Sequence, residues 1–190
     1  MTAIGMWRQV CLVLTATSAL AFTAVRVPAA EVVREAWRSP FGMARGVCVN
    51  PSDGTVWAAS GASVMHLTPD GAILSQTDGF STPHAVSADA GDGSCWVADL
   101  DHHQVVHLGE DGRELWRGGG DGGLLRPIDI SANSTDGSCW VVYQGDIDTK
   151  TFTWVGKALL HLARDGAELW RTTSLLTPYA VAVDPNDGSC

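Results

Sequence analysis

The sequence predicts an all-β protein, a β-propeller built from four-stranded antiparallel blades. Two observations carry this. First, Asp53-Gly54-Thr55-Val56-Trp57 returns as Asp92-Gly93-Ser94-Cys95-Trp96 and Asp136-Gly137-Ser138-Cys139-Trp140, then starts again at Asp187-Gly188-Ser189-Cys190; the steps are 39, 44 and 51 residues. Self-similarity at such a period marks a repeat architecture. Second, each unit holds four short apolar segments rich in Val, Trp, Leu and Ile, and Asp-Gly pairs recur between them. Asp-Gly between apolar runs signals a hairpin, because Gly and Asp tolerate the positive φ a tight turn needs. Four antiparallel strands per unit make a propeller blade. A helical repeat is disfavoured, because no long 3.6-residue apolar pattern is present.

Each unit starts on a Pro-led segment: Pro83-His84-Ala85-Val86, Pro127-Ile128-Asp129-Ile130 and Pro178-Tyr179-Ala180-Val181, with Ala44 at the matching place in the first. The Asp-Gly turn and the Trp strand follow. A third segment ends in His-Leu, at His66, His107 and His161. A second Asp-Gly turn, at Asp70, Asp111 and Asp165, opens the fourth segment; two of these are the near copies Glu114-Leu115-Trp116-Arg117 and Glu168-Leu169-Trp170-Arg171. Trp57, Trp96 and Trp140 read as blade core, and Trp116 and Trp170 as outer-strand packing. The three histidines, repeating in register, read as a structural hydrogen bond made within each blade.

The units divide as 41–80, 81–125, 126–176 and an incomplete 177–190. Unit three carries about ten extra residues, falling in Gln144 to Lys157. Three units and a stub do not close a propeller of four to eight blades. The chain therefore reads as an N-terminal part of a ring. The remaining blades would come from a missing C-terminal part or from self-association. Residues 1–30 differ from the rest: Arg8 precedes an uncharged, mostly apolar run from Gln9 to Val25, with small-residue cleavage sites at Ala19-Leu20-Ala21 and Pro28-Ala29-Ala30. This reads as a secretory signal peptide, implying a secreted, periplasmic or extracellular protein with no stable membrane span after cleavage. An uncleaved anchor is the other reading, though a span needs about 20 apolar residues and Arg26 interrupts this one. Residues 31–40 are a polar lead-in, in which Trp37 would suit an outer strand.

The chain has a net charge of −9, which becomes −11 without Arg8 and Arg26. Seven of the acids belong to the repeated Asp-Gly turns. The acidity is thus largely architectural, and it argues against a nucleic-acid partner, which calls for a basic surface. Cys11 lies in the leader. Cys95, Cys139 and Cys190 hold equivalent places in successive units, too far apart to bridge one another, and read as small buried apolar residues. Cys48 is the odd one, in a neighbouring strand of unit one. No Cys-x-x-Cys suggests zinc. The run from Gly118 to Gly123 has no following Lys-Ser/Thr and reads as a flexible inter-blade connection rather than a phosphate loop.

The order Pro-x-x-Val, Asp-Gly-Ser-x-Trp-Val-Ala-Asp, Val-Val-His-Leu, Asp-Gly resembles the NHL-type repeat of six-bladed β-propellers, from about Phe41 to Cys190. The chain departs from that pattern at Asp101-His102-His103, where the family often has Asn, and at Ser60 and Tyr143, which replace Asp99 in the other units. The resemblance implies a ring of six blades. For function it implies ligand or protein binding, scaffolding, or metal-dependent hydrolase or lyase chemistry.

Alternating strand direction puts both Asp-Gly turns of a blade on one rim. The loops after the Trp strand and those leading into Pro fall on the other rim, where the sequence varies, and variable loops on a rigid scaffold commonly carry function. That rim supplies the candidate ligand-binding residues: Asp99, Asp101 and His102 in unit two, with His103 beside them, and Asp146 and Asp148 in the insertion, with Lys150. Arg45, His84, Arg126, Asp129 and Tyr179 come from the Pro-led starts and face the central channel. Carboxylates and imidazoles of this kind suit a divalent metal such as calcium. Asp99 also reads as a cap on backbone groups in its own turn. Adjacent His102 and His103 would point opposite ways on a strand. No catalytic signature is present. The readings are a binding or scaffolding module for a protein, peptide or glycan; a metal-dependent hydrolase or lyase at the channel; or an extracellular structural array.

Overall fold

The computed structural model describes residues 44–119 and 124–190. The leader, the lead-in with Trp37, Cys11 and most of the glycine run lie outside the described residues. Among the described residues twelve strands form three sheets of four. The first blade is β1 (Ala44–Val49), β2 (Val56–Ser60), β3 (Ser63–Leu67) and β4 (Ile73–Asp78). The second is β5 (Pro83–Ala88), β6 (Cys95–Asp99), β7 (Gln104–Leu108) and β8 (Glu114–Gly118). The third is β9 (Pro127–Ala132), β10 (Cys139–Asp148), β11 (Thr153–Leu162) and β12 (Glu168–Thr172). Every neighbouring pair is antiparallel and consecutive in the chain. These are propeller blades. Among the described residues no helix is long and apolar enough to cross a membrane.

The core lies between blades. Successive residues of a strand face opposite sides. On β6, Cys95 and Val97 join Trp57, Ala59 and Val64 of blade one, while Trp96 and Ala98 join Ile130, Cys139, Val141 and Leu160 of blade three. A strand covered on both sides needs a continuous apolar run, which Cys95-Trp96-Val97-Ala98 supplies. The outer strands are exposed or half-buried instead. There Glu114 pairs with Arg117, and Glu168 with Arg171.

The turns differ from the tight hairpins that Asp-Gly suggests. The loop from β5 to β6 has six residues, closed by Asp89 N donating to Ser94 O at 2.8 Å. Two side chains shape it: Asp89 Oδ1 accepts from Gly91 N, and Asp92 Oδ1 from Ser94 N. Asn50, Asn133 and Asp184 repeat the first contact, and Asp53, Asp136 and Asp187 the second. Of each Asp-Gly pair only the Gly takes positive φ, between 74° and 78° in these four loops. Residues 177–190 form no strand, yet Asp184 to Ser189 build the same loop. Val181 N donates to Asp129 Oδ2, and Val183 N to Ser131 Oγ.

Each blade Trp stacks on the His of the neighbouring strand, at 4.1 Å for Trp57 on His66, 4.0 Å for Trp96 on His107 and 4.2 Å for Trp140 on His161. Each Trp Nε1–H reaches the loop of the following unit, at Gly93 O, Gly137 O and Gly188 O. The histidine bond expected within each blade is only half of the pattern. His107 Nε2 and His161 Nε2 do accept from Ser94 and Ser138 of their own blades. His66 Nδ1–H and His107 Nδ1–H instead donate across blades, to Glu110 O and Arg164 O. In blade one Thr55 stands where the others have Ser and donates its hydroxyl to Asp53, leaving His66 Nε2 without a partner. Cys95 and Cys139 are fully buried, as small apolar residues should be, whereas Cys190 is exposed because no described strand covers it.

These contacts predict acid sensitivity. Burial holds His107 and His161 below the ordinary histidine value of 6.5, with the Arg164 carbonyl offsetting part of the effect at His107. A buried neutral histidine takes its proton less readily than the unfolded chain does. The stability it contributes is therefore complete above pH 6.5 and is lost as pH falls from there toward the folded value. Asp92 and Asp136 act in the same direction at lower pH. Burial pushes them up, but Ser94 and Ser138 hydrogen bonds and nearby positive charge leave both below 3.8. The urea midpoint is expected to fall between pH 7 and pH 5 and to fall further below pH 4. A midpoint that is flat or rises over the first interval contradicts neutral buried histidines.

Candidate functional site

The inner strands share one irregularity. In β1, β5 and β9 the register skips one residue, so Arg45, His84 and Ile128 lack a directly opposed partner. A bulge bends its strand and re-aims the extra side chain. The same position in the next unit is Tyr179. Sequence reasoning selected Arg45, His84 and Tyr179 from their place after Pro or its counterpart Ala44; the bulge is the physical reason that place differs from its neighbours. The inner strands also run close together: a Cβ on Gly46 would lie 2.9 Å from His84 O.

Arg45, His84 and Asp129 line one open groove of about 360 Å³, floored by Val47, Val86 and Ile128. His84 Nδ1–H donates to Ile128 O at 2.8 Å, which leaves Nε2 as the ring's acceptor. One Asp129 oxygen accepts from Val181 N at 2.8 Å. The groove thus combines a guanidinium, an oriented imidazole and a carboxylate. Arg126 and Tyr179, the other candidates expected to face the channel, do not line this groove. Arg126 takes φ of 57° just before β9 and stands 3.9 Å from Asp146. Tyr179 lies in a small cleft with Trp154, Lys157 and Leu176.

Asp99 is fully buried and makes a clasp. Its carboxylate accepts from Ser81 N and Thr82 N, on the approach to β5, and from His102 Nδ1–H at 2.8 Å. Asp101 accepts from Thr82 Oγ1. His102 and His103 lie in the turn before β7, within the loop after the Trp strand. His103 takes φ of 58°, a conformation in which Asn, Asp and His are enriched. That explains how a His is accommodated at this turn. The paired histidines therefore diverge because of the turn, one toward Asp99 and one toward Leu100 O. Among the described residues no three His, Cys, Asp or Glu side chains converge to hold a metal ion.

The insertion is not a loose loop. It lengthens β10 and β11 to ten residues each, paired out to Asp148 and Thr153. The pairing skips Gly145 and Gly156, both at positive φ, and Leu125 bonds to the backbone of each. A Cβ on Gly145 would collide with Val155 O, so the point where the arm leaves the blade requires glycine. Asp148 caps the arm's tip, accepting from Lys150 N at 2.7 Å and Thr151 N at 3.3 Å, and these bonds hold its carboxyl below the ordinary value. Asp146 accepts from Ile147 N. The arm exposes Phe152 (83%), Trp154 (50%), Ile147 and Val155, with Tyr179 (68%) beside its base. Sequence reasoning chose the acids of this segment and passed over its aromatics. The signal was present, in two bulky aromatic residues within an insertion absent from the other units.

No protein-family model matches the chain, and no curated protein does. Solved structures do. Hydrazine synthase of Kuenenia stuttgartiensis matches at a TM-score of 0.62 and 15% identity, over 80% of this chain and 42% of that one. A chain of the nidogen/laminin complex matches at 0.56 and 18% identity, over 76% and 54%. The WD40 repeats of RRP9 match at 0.57 and 7% identity, over 73% and 40%. At such identities the likeness shows the propeller fold. The chain spans about half the length of these proteins or less.

Proposed function

We propose that the protein is an exported binding or scaffolding module of the NHL-like, six-bladed kind, engaging a protein, peptide or glycan through its variable rim. The observation that carries this reading is the blade-three arm. It is a paired, capped hairpin that exposes Phe152 and Trp154, and Tyr179 lines a cleft with its base. Exposed large aromatic side chains on a fixed scaffold are typical interface anchors. Export is supported by the leader's basic start and apolar run. A glycan microarray and a peptide display library, probed with the full chain and with its Phe152→Ser/Trp154→Ser variant, test the reading. Ligands that bind the full chain and lose at least about tenfold on the variant are expected, since two hot-spot aromatics are removed. Ligands indifferent to the arm, or none at all, sink it.

A second reading is metal-dependent hydrolase or lyase chemistry at the channel. It rests on the groove shared by Arg45, His84 and Asp129. Calcium titration decides it: stoichiometric binding lost in Asp129→Asn favours the enzyme, and no heat of binding removes it.

A further inference from the structure

At each blade boundary one inner-strand side chain accepts an amide from the next unit. Ser87 Oγ accepts from Ala132 N at 3.0 Å, and Ser131 Oγ from Val183 N at 3.1 Å. Cys48 holds the same register in β1, and its Sγ lies 3.4 Å from Ala88 N. Ala88 is directly opposed to Cys95 across β5 and β6. Opposed residues have Cα atoms about 4.5–5.5 Å apart and side chains on one face. Here that face is turned toward blade one: Ala88 and Cys95 belong to the cluster that holds Trp57, and Cys48 packs against it. At the next boundary the same positions hold Ser87 and Cys139, so the first boundary differs in carrying cysteine at both positions.

We propose that Cys48 and Cys95 form a disulfide that joins the first two blades covalently. The inference stands apart from the rim reading, since the pair lies inside a blade boundary. Closure needs a disulfide oxidant, such as oxidised glutathione. The Cys48 thiolate attacks it, forming a mixed disulfide and releasing one glutathione thiolate. The Cys95 thiolate then attacks Cys48 Sγ and releases the second. Two electrons pass from the cysteines to glutathione, and the two thiol protons end on the glutathiones. Cys48 is the half-buried partner and Cys95 the fully buried one, which sets that order. Burial, reinforced by Cys48, pushes the Cys95 thiol well above its ordinary value, so the second step quickens as pH rises.

The test equilibrates the native full chain with oxidised glutathione, then maps peptides by mass spectrometry without reduction. A Cys48–Cys95 linked peptide is expected, lighter by two hydrogens than its parts. A rise of about 5–10 °C in melting temperature, reversed by dithiothreitol, should accompany it. Cys48→Ser provides the control. Serine already fills this register at positions 87 and 131, so the variant should fold, form no link and show no rise. Cys95 recovered free, bridged elsewhere or carrying glutathione overturns the proposal. So does a link that leaves the melting temperature unchanged.

Discussion

Trp96→Ala is expected to destabilise the protein by about 4 kcal/mol. The indole is fully buried, stacks on His107 at 4.0 Å, meets Trp116 edge-on at 6.1 Å, and donates to Gly137 O at 3.2 Å. Its removal opens a cavity at the boundary of blades two and three and leaves a loop carbonyl without its donor. Against a typical total of about 5–15 kcal/mol, this is a large share. Trp96→Phe keeps a ring but loses the N–H, and should cost about 1–2 kcal/mol. Trp140→Ala should cost less than Trp96→Ala, because Trp140 is only half-buried. Urea unfolding of the three variants measures the order. If Trp96→Ala and Trp140→Ala cost the same, burial at the blade boundary is not what the Trp strand supplies.

Asp99→Ala is expected to cost about 2 kcal/mol. One carboxylate ties the turn after β6 to the approach of β5 through Ser81 N, Thr82 N and His102. Alanine leaves those donors to compete for water in a partly closed site. Asn keeps one acceptor oxygen for the two amides, but its NH₂ can meet His102 Nδ1 only in the ring's other tautomer. Its cost should fall between zero and that of Ala. The same variants separate the clasp from a ligand site. A clasp predicts lost stability with arm-dependent binding retained at saturating folded protein. A Asp99→Asn variant of native stability that loses a ligand would reassign Asp99 to binding.

Several features were legible because a repeat states them more than once. The Trp strand, the Asp-Gly turns and the histidine column each recur, and each recurrence reflects one local physical demand met in successive blades. The first residue of each six-residue loop was harder to see. Asn50, Asp89, Asn133 and Asp184 differ in charge but share the acceptor oxygen that caps the loop, so a search for identical letters passes over them. The arm was read as extra loop because ten residues of insertion do not state their own pairing. Gly145 and Gly156, seated opposite a break in the ladder, are what allow them to continue the hairpin.

The sequence by itself determined the blade: four strands, their order and the buried column of Trp and His. Those depend on local apolar alternation and turn chemistry, which neighbouring residues encode. The tertiary structure decided what crosses between blades. It showed that the histidines and tryptophans bond to the next unit, that Cys48 meets the strand opposite Cys95, and that Arg126 and Tyr179 stand apart from Arg45, His84 and Asp129. Such contacts join residues some 36 to 57 positions apart. Their distances depend on how tightly successive sheets twist and stack, which no single repeat contains.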